Sequence, residues 1–219
     1  LTGRLQDVIT RIAALPRFSE CRRMIDLGGG HGLYALALVS LHPSLHAVVF
    51  DLPGVTEYTR RYIRRYGMED RVSVCPGDFL TDDVGTGYDI VLSSSNPSGK
   101  KVSMVPVIAA SLTAGGYFVN VQPGDDDTNA APPWSMLEWE LWNFHGVTTP
   151  KSGWEKKKPF FTPEYRQALS DAGLTVISRT RIPDPYLKDH SVVMLIAQKG
   201  WGNGQKILSS SPGISNSSR

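Results

Sequence analysis

The segment Asp26-Leu27-Gly28-Gly29-Gly30-His31-Gly32 constrains this chain more than any other part of it. It follows Arg22 to Leu27, which reads as a buried β-strand, and precedes His31 to Leu41, which reads as a helix. Its glycines let the backbone turn tightly and approach a ligand with no Cβ in the way. The start of the next helix presents N–H groups that no helical carbonyl accepts. A ligand held there lies at the carboxyl end of the first strand, the usual crevice of an open α/β sheet.

The rest of the chain keeps the same rhythm. Residues 4–14 carry Leu5, Val8, Ile9, Ile12 and Ala13 on one stripe, which predicts an amphipathic helix. Further strands are predicted at His46 to Asp51, Arg71 to Cys75, Tyr88 to Ser93 and, after Gly115-Gly116, Tyr117 to Val121. A helix from Pro53 to about Tyr66 starts with proline at its first position. Strand and helix alternate with short connections up to residue 122, which predicts a mostly parallel, Rossmann-like sheet with helices on both faces. A loop from Pro123 to Pro133 and an aromatic-rich helix from Trp134 to Phe144 follow. Thr162-Pro163-Glu164 then caps and opens a late helix ending at Gly173. Leu174 to Arg181 and Ser191 to Gln198 have no helix between them, so they are expected to pair antiparallel at the sheet edge. Residues 1–199 thus form one domain, and the serine-rich stretch 200–219 reads as a flexible tail.

Composition removes several function classes. A net charge of +2 is too small to predict a polyanion partner, and Arg60, Arg61, Arg64 and Arg65 read as a solvated helix face, so no nucleic acid is expected. No run reaches the roughly 18 apolar residues of a membrane span. Cys21 and Cys75 lack any Cys/His cluster and read as reduced core thiols of a cytoplasmic protein, with no metal site. No secretory leader is visible at Leu1, and the absence of an initiator methionine reads as a fragment or processed product.

Spacing around the glycines narrows the ligand. A dinucleotide fingerprint wants a third glycine where this chain has Leu33. An acid two residues before the first glycine suits a cationic ligand end and suits a pyrophosphate poorly. Asp51 closes the second strand, where a carboxylate can accept from vicinal ribose hydroxyls. Asp78 follows the third strand, where it can accept from an adenine amino group while Phe79 packs on the ring. Taken singly, either acid is a turn residue or helix cap; three in the same register point to a nucleoside-type ligand.

With these motifs the chain resembles the S-adenosylmethionine-dependent O-methyltransferases of the caffeate, hydroxyindole and hydroxyneurosporene type, over about residues 4–199. The resemblance implies a class I methyltransferase sheet with one antiparallel edge strand, S-adenosylmethionine as cofactor and a small aromatic or polyketide-like hydroxyl as acceptor. It places Asp26, Gly28 and Gly30 on the methionine part, Asp51 and Leu52 on the ribose, and Asp78 and Phe79 on the adenine. Ser93, at the end of the fourth strand, joins this cofactor-binding set.

The chain also departs from that family. Where members carry a cofactor-holding lysine, a histidine base and a supporting glutamate, this chain has Ser94, Ser98 and a position near Phe160, so no catalytic residue is assigned. His145 is a candidate replacement base, whereas His31 and His190 read as structural. Trp134, Trp139, Trp142, Phe144 and Trp154 read equally well as packing or as a wall for a flat acceptor. The family's N-terminal helical domain, which forms a homodimer and closes the acceptor pocket, has no counterpart in this stretch. Two other readings therefore stay open: a cofactor-binding domain without methyl transfer, and an NAD-linked oxidoreductase.

Overall fold

A computed structural model describes residues 2–123, 160–183 and 191–201. Seven strands form one sheet in the order β3-β2-β1-β4-β5-β7-β6. They are β1 (Arg23–Leu27), β2 (His46–Asp51), β3 (Val72–Pro76), β4 (Tyr88–Ser94), β5 (Leu112–Pro123), β6 (Leu174–Pro183) and β7 (Ser191–Lys199). The first five run parallel, and β7 pairs antiparallel with both β5 and β6. The antiparallel pair expected at the edge is therefore present, and its reversed member, β7, is the inner of the two.

Alternation along each strand divides the core. Met24, Val49, Leu92 and Val119 point to the face covered by α1 (Thr2–Ala13), α2 (Leu33–Leu41) and α3 (Pro53–Arg65). Ile25, Leu27, Phe50, Val91 and Phe118 point to the other, covered by α4 (Met104–Ser111) and α5 (Pro163–Asp171). The sequence reading named no helix at α4. Met-Val-Pro-Val-Ile-Ala-Ala has no polar face to reveal its period, and Pro106 is tolerated because it falls in the first turn, whose N–H groups have no helical acceptor. The fifth strand also begins earlier than expected, at Leu112. Its register against β4 shifts between Tyr88 and Ile90, so Gly115-Gly116 lies inside the strand as an irregularity.

Polar contacts fix the ends. At the amino-terminal edge Asp89 accepts from the N–H groups of Arg22 (2.7 Å) and Arg23 (3.0 Å) and from the Thr113 hydroxyl (3.1 Å), binding β1, β4 and β5 together. Arg71 donates to the carbonyl of Val39 (2.8 Å) near the end of α2, where a cation also complements the helix dipole. Gly200 and Trp201, expected in the tail, pack on the domain: Gly200 N–H donates to Gly173 O (3.0 Å), and the Arg17 guanidinium lies 4.4 Å from the Trp201 ring centre. The predicted loop 123–133 beyond its first residue, the aromatic helix, His145, His190 and residues 202–219 lie outside the described residues.

The predicted cap of α5 is observed, with Thr162 Oγ1 accepting from Tyr165 N–H at 3.2 Å. Thr162→Ala is expected to lower stability by about 1 kcal/mol, read as a smaller denaturation midpoint at unchanged slope in urea.

Candidate cofactor site

The strand order turns back between β1 and β4, and at such a switch point the loops after the two strands part and leave a crevice at the carboxyl ends. One wall is the glycine turn. Gly28 N–H donates to Phe50 O (2.7 Å), which docks the start of the turn on β2. Gly30, with φ +57°, then aims its N–H at Asp51 Oδ2 (2.8 Å), while its carbonyl accepts from the fully buried hydroxyl of Thr59 on α3 (2.5 Å). The other oxygen of Asp51 accepts from Leu52 N–H (2.7 Å). Asp51 thus stands at the crevice as expected, and it also shapes the turn. Each oxygen keeps a lone pair for a further donor.

Asp26 is the unusual member. It is 1% exposed, and neither carboxylate oxygen has a hydrogen-bond partner. It lies directly beneath the turn: a Cβ added at Gly29 would come within 2.7 Å of its carboxyl carbon and Oδ2 and 2.9 Å of Val49 Cγ1. Gly29 is glycine because backbone and carboxyl are pressed together there. Burial, and secondarily the charge of Asp51, push the Asp26 carboxyl up to about 8. Burial raises Asp51 as well, against the opposing effect of its two N–H donors and of His31. An unpartnered acid of this kind welcomes a cation and opposes a pyrophosphate, which weighs against a dinucleotide in this turn.

Asp78 and Phe79 stand on the same lip, tied in by the Gly77 N–H to Asp51 O bond (2.9 Å). Asp78 serves as a turn residue, accepting from Leu80 N–H (2.9 Å) while its own N–H donates to Asp82 Oδ2 (2.8 Å). Phe79 is half-buried against the α4/α5-side core. Leu52, 36% exposed, caps α3 at the rim.

Ser93, expected in the cofactor-binding set, is fully buried one residue before the end of β4, with its hydroxyl donating to Asn96 Oδ1 (3.1 Å) and lying 3.2 Å from Ser98 Oγ. Asn96 itself was missed, although an Asn-Pro step after a strand is a capping signal. Its Nδ2 donates to Leu27 O (2.6 Å), and its Oδ1 accepts from Ser98 N–H (3.1 Å), so it spans from the β4 loop to the end of β1. It lies against Gly28, where an added Cβ would come within 3.0 Å of Nδ2.

Behind Asn96 the polar groups continue inward. Gly99 O accepts from Asn120 Nδ2 (2.6 Å) and the Tyr165 hydroxyl (2.9 Å), and Gln122 Nε2 donates to Asn120 Oδ1 (2.9 Å). Gln122 Oε1 is buried with no partner. Ser98, where the resemblance puts the base, is fully buried in this network, and Phe160 is buried beside Tyr165. His31 packs edge-on against Tyr62, ring centres 5.0 Å apart. Both cysteines are free, no cluster of three or more potential metal ligands occurs among the described residues, and no helix there is long and apolar enough to cross a membrane.

Residues 4–96 match the model of the O-methyltransferase domain. An uncharacterized protein of Methanocaldococcus jannaschii is 33% identical over 79% of this chain and 46% of its own. A 3-hydroxy-5-methyl-1-naphthoate 3-O-methyltransferase of Streptomyces sahachiroi is 27% identical over 80% of this chain and 49% of its own. The chain spans about half the length of the curated relatives it matches. Among solved structures, human N-acetylserotonin methyltransferase in complex with SAM superposes with a TM-score of 0.58 at 23% identity, over 90% of this chain and 52% of that one, which shows a common fold.

The buried acid makes stability depend on pH. Unfolded Asp26 ionises near 3.8, whereas folded Asp26 keeps its proton to about 8, so the folded state binds more protons across that interval. Its contribution is full below the lower value and is lost as pH rises through the upper one. The thermal midpoint of the wild type is expected to fall relative to that of Asp26→Asn over this range; a constant difference would contradict the assignment.

Proposed function

We propose that this chain, residues 4–96 of which match the O-methyltransferase domain model, binds S-adenosylmethionine and directs its methyl group to a hydroxyl of a small aromatic or polyketide-like molecule. The observation that carries this reading is the unpartnered Asp26 carboxyl beneath a glycine turn that Asp51 anchors. Asp26 receives the ammonium end, Gly28 and Gly30 admit it to the backbone, and Asp51 accepts from ribose hydroxyls with its remaining lone pairs. Asp78 and Phe79 take the adenine, and Asn96, against Gly28, closes the methionine side. When bound, the cofactor supplies an electrophilic methyl group on a sulfonium. The name of the Streptomyces sahachiroi relative, a hydroxynaphthoate 3-O-methyltransferase, supports an aromatic acceptor. We place the protein in the cytoplasm, with a homodimer formed only together with the helical domain that family members carry.

The chain's part in methyl transfer is positioning. In-line placement supplies about 7–11 kcal/mol of the barrier, and a positioned base adds about 10²–10⁴-fold. At the expected base position stands Ser98, sealed in a network of neutral groups. That observation favours a second reading, in which the domain keeps the cofactor and has lost methyl transfer. Incubation with methyl-labelled cofactor and a panel of phenols separates the two: label in a phenol supports the first, and cofactor binding without label supports the second.

Titration calorimetry is expected to show S-adenosylhomocysteine binding. Asp51→Asn should weaken it about 10–100-fold, since a hydrogen bond to a charged group contributes about 1.5–3 kcal/mol. No heat at high protein concentration would end the assignment.

A further inference from the structure

The Asp26 carboxyl is enclosed in a way that leaves it two means of being comfortable, a proton or a cation. Gly29 lies over it, Val49 of β2 beside it, and neither oxygen accepts a hydrogen bond. The charged group whose field reaches it is Asp51, at the end of β2, and that field is repulsive. Asp51 cannot relieve it by moving, because its two oxygens are committed to Gly30 N–H and Leu52 N–H. On the turn itself His31 is directed to Tyr62 of α3 and acts on Asp51. From α3 comes the neutral Thr59 hydroxyl, given to Gly30 O.

We propose that Asp26 is a neutral acid in the ligand-free protein and gives up its proton when the ammonium end of the cofactor enters the glycine turn, so that cofactor binding and proton release are one event. The inference rests on the cofactor reading above and deepens it. The balance is simple: a carboxylic acid and an ammonium become a carboxylate–ammonium pair, and the proton leaves to solvent. The pair replaces a buried neutral acid at no change in the net charge of the enclosure. Burying a lone carboxylate there, next to Asp51, is the expensive alternative that the free protein avoids. Affinity for ligands with an ammonium end therefore rises with pH until Asp26 ionises unaided, whereas ligands without one bind independently of that proton.

Calorimetry with S-adenosylhomocysteine at neutral pH, in two buffers of different ionisation enthalpy, measures the proton count. Release of about one proton is expected, with affinity rising about tenfold per pH unit between about pH 6 and pH 7.5. With 5′-methylthioadenosine, which lacks the amino-acid end, neither release nor pH dependence is expected. Asp26→Asn should abolish both effects for S-adenosylhomocysteine. Should that variant fail to fold, carboxyl-carbon NMR of the wild type reads Asp26 directly, with a midpoint above neutrality when free and well below it in the complex. S-Adenosylhomocysteine binding without proton release, or a free midpoint in the ordinary carboxylate range, overturns the proton coupling and leaves the cofactor reading standing. Failure of both ligands to bind overturns the cofactor reading and the coupling with it.

Discussion

The pairing of Asp51 with the backbone of the glycine turn is the contact on which the rest of the crevice depends. One carboxylate, at the last residue of β2, accepts from Gly30 on one side and Leu52 on the other. It therefore sets the curvature of the turn after β1 and the entry of the chain into α3. Thr59, one and a half turns along that helix, takes the carbonyl of the same Gly30. The turn is held from both of its polar groups by elements that follow it in sequence, and the space beneath it is closed over Asp26. Without that closure Asp26 would be an ordinary hydrated carboxylate at a strand end, with no reason to hold a proton and no special affinity for a cation.

The opposite wall is built on another principle. Ser93, Asn96, Ser98, Asn120, Gln122 and Tyr165 are neutral, and they satisfy one another across the loop after β4, the end of β5 and the start of α5. Burial raises the Tyr165 hydroxyl further above its ordinary value, so it remains a donor at any working pH. Gly99 is pressed onto Ser93, Asn120 and Gln122 so closely that a Cβ would collide with all three. Such a network locks the loop because its members, Gln122 Oε1 excepted, are satisfied within it, and breaking one bond leaves a further buried group unpaired.

The two walls differ in how much of them the sequence discloses. The placement of Asp26, the glycines and Asp51 at the carboxyl ends of β1 and β2 was legible because it follows from local geometry: a turn without Cβ atoms, and carboxylates at strand ends. The strands at His46 and Tyr88 and the cap at Thr162 were legible for the same reason, each needing only its neighbours in the chain. Thr59 and Asn120 were not, because a threonine within a helix and an asparagine within a strand acquire meaning only from partners 29 and 45 residues away in a particular packing. Helix α4 was hidden by being apolar on every side. Ser93 was legible as a strand-end residue, whereas its hydrogen bond to Asn96 depends on the loop that follows β4.

This contrast bears on what the domain does by itself. The β1–β2 wall is incomplete as a piece of protein chemistry, since it buries an acid with no partner beside a second acid. Native structures tolerate an uncompensated buried group chiefly where something else completes it. The β4–β5 wall is nearly complete, with Gln122 Oε1 as its one unpartnered oxygen among the described residues besides those of Asp26. The energetic cost is thus concentrated where the cofactor's amino-acid end would lie and is nearly absent where a base would be needed. Under the proposed reading, this distribution of cost favours cofactor capture most directly, and methyl transfer would depend on how well the captured group is aligned.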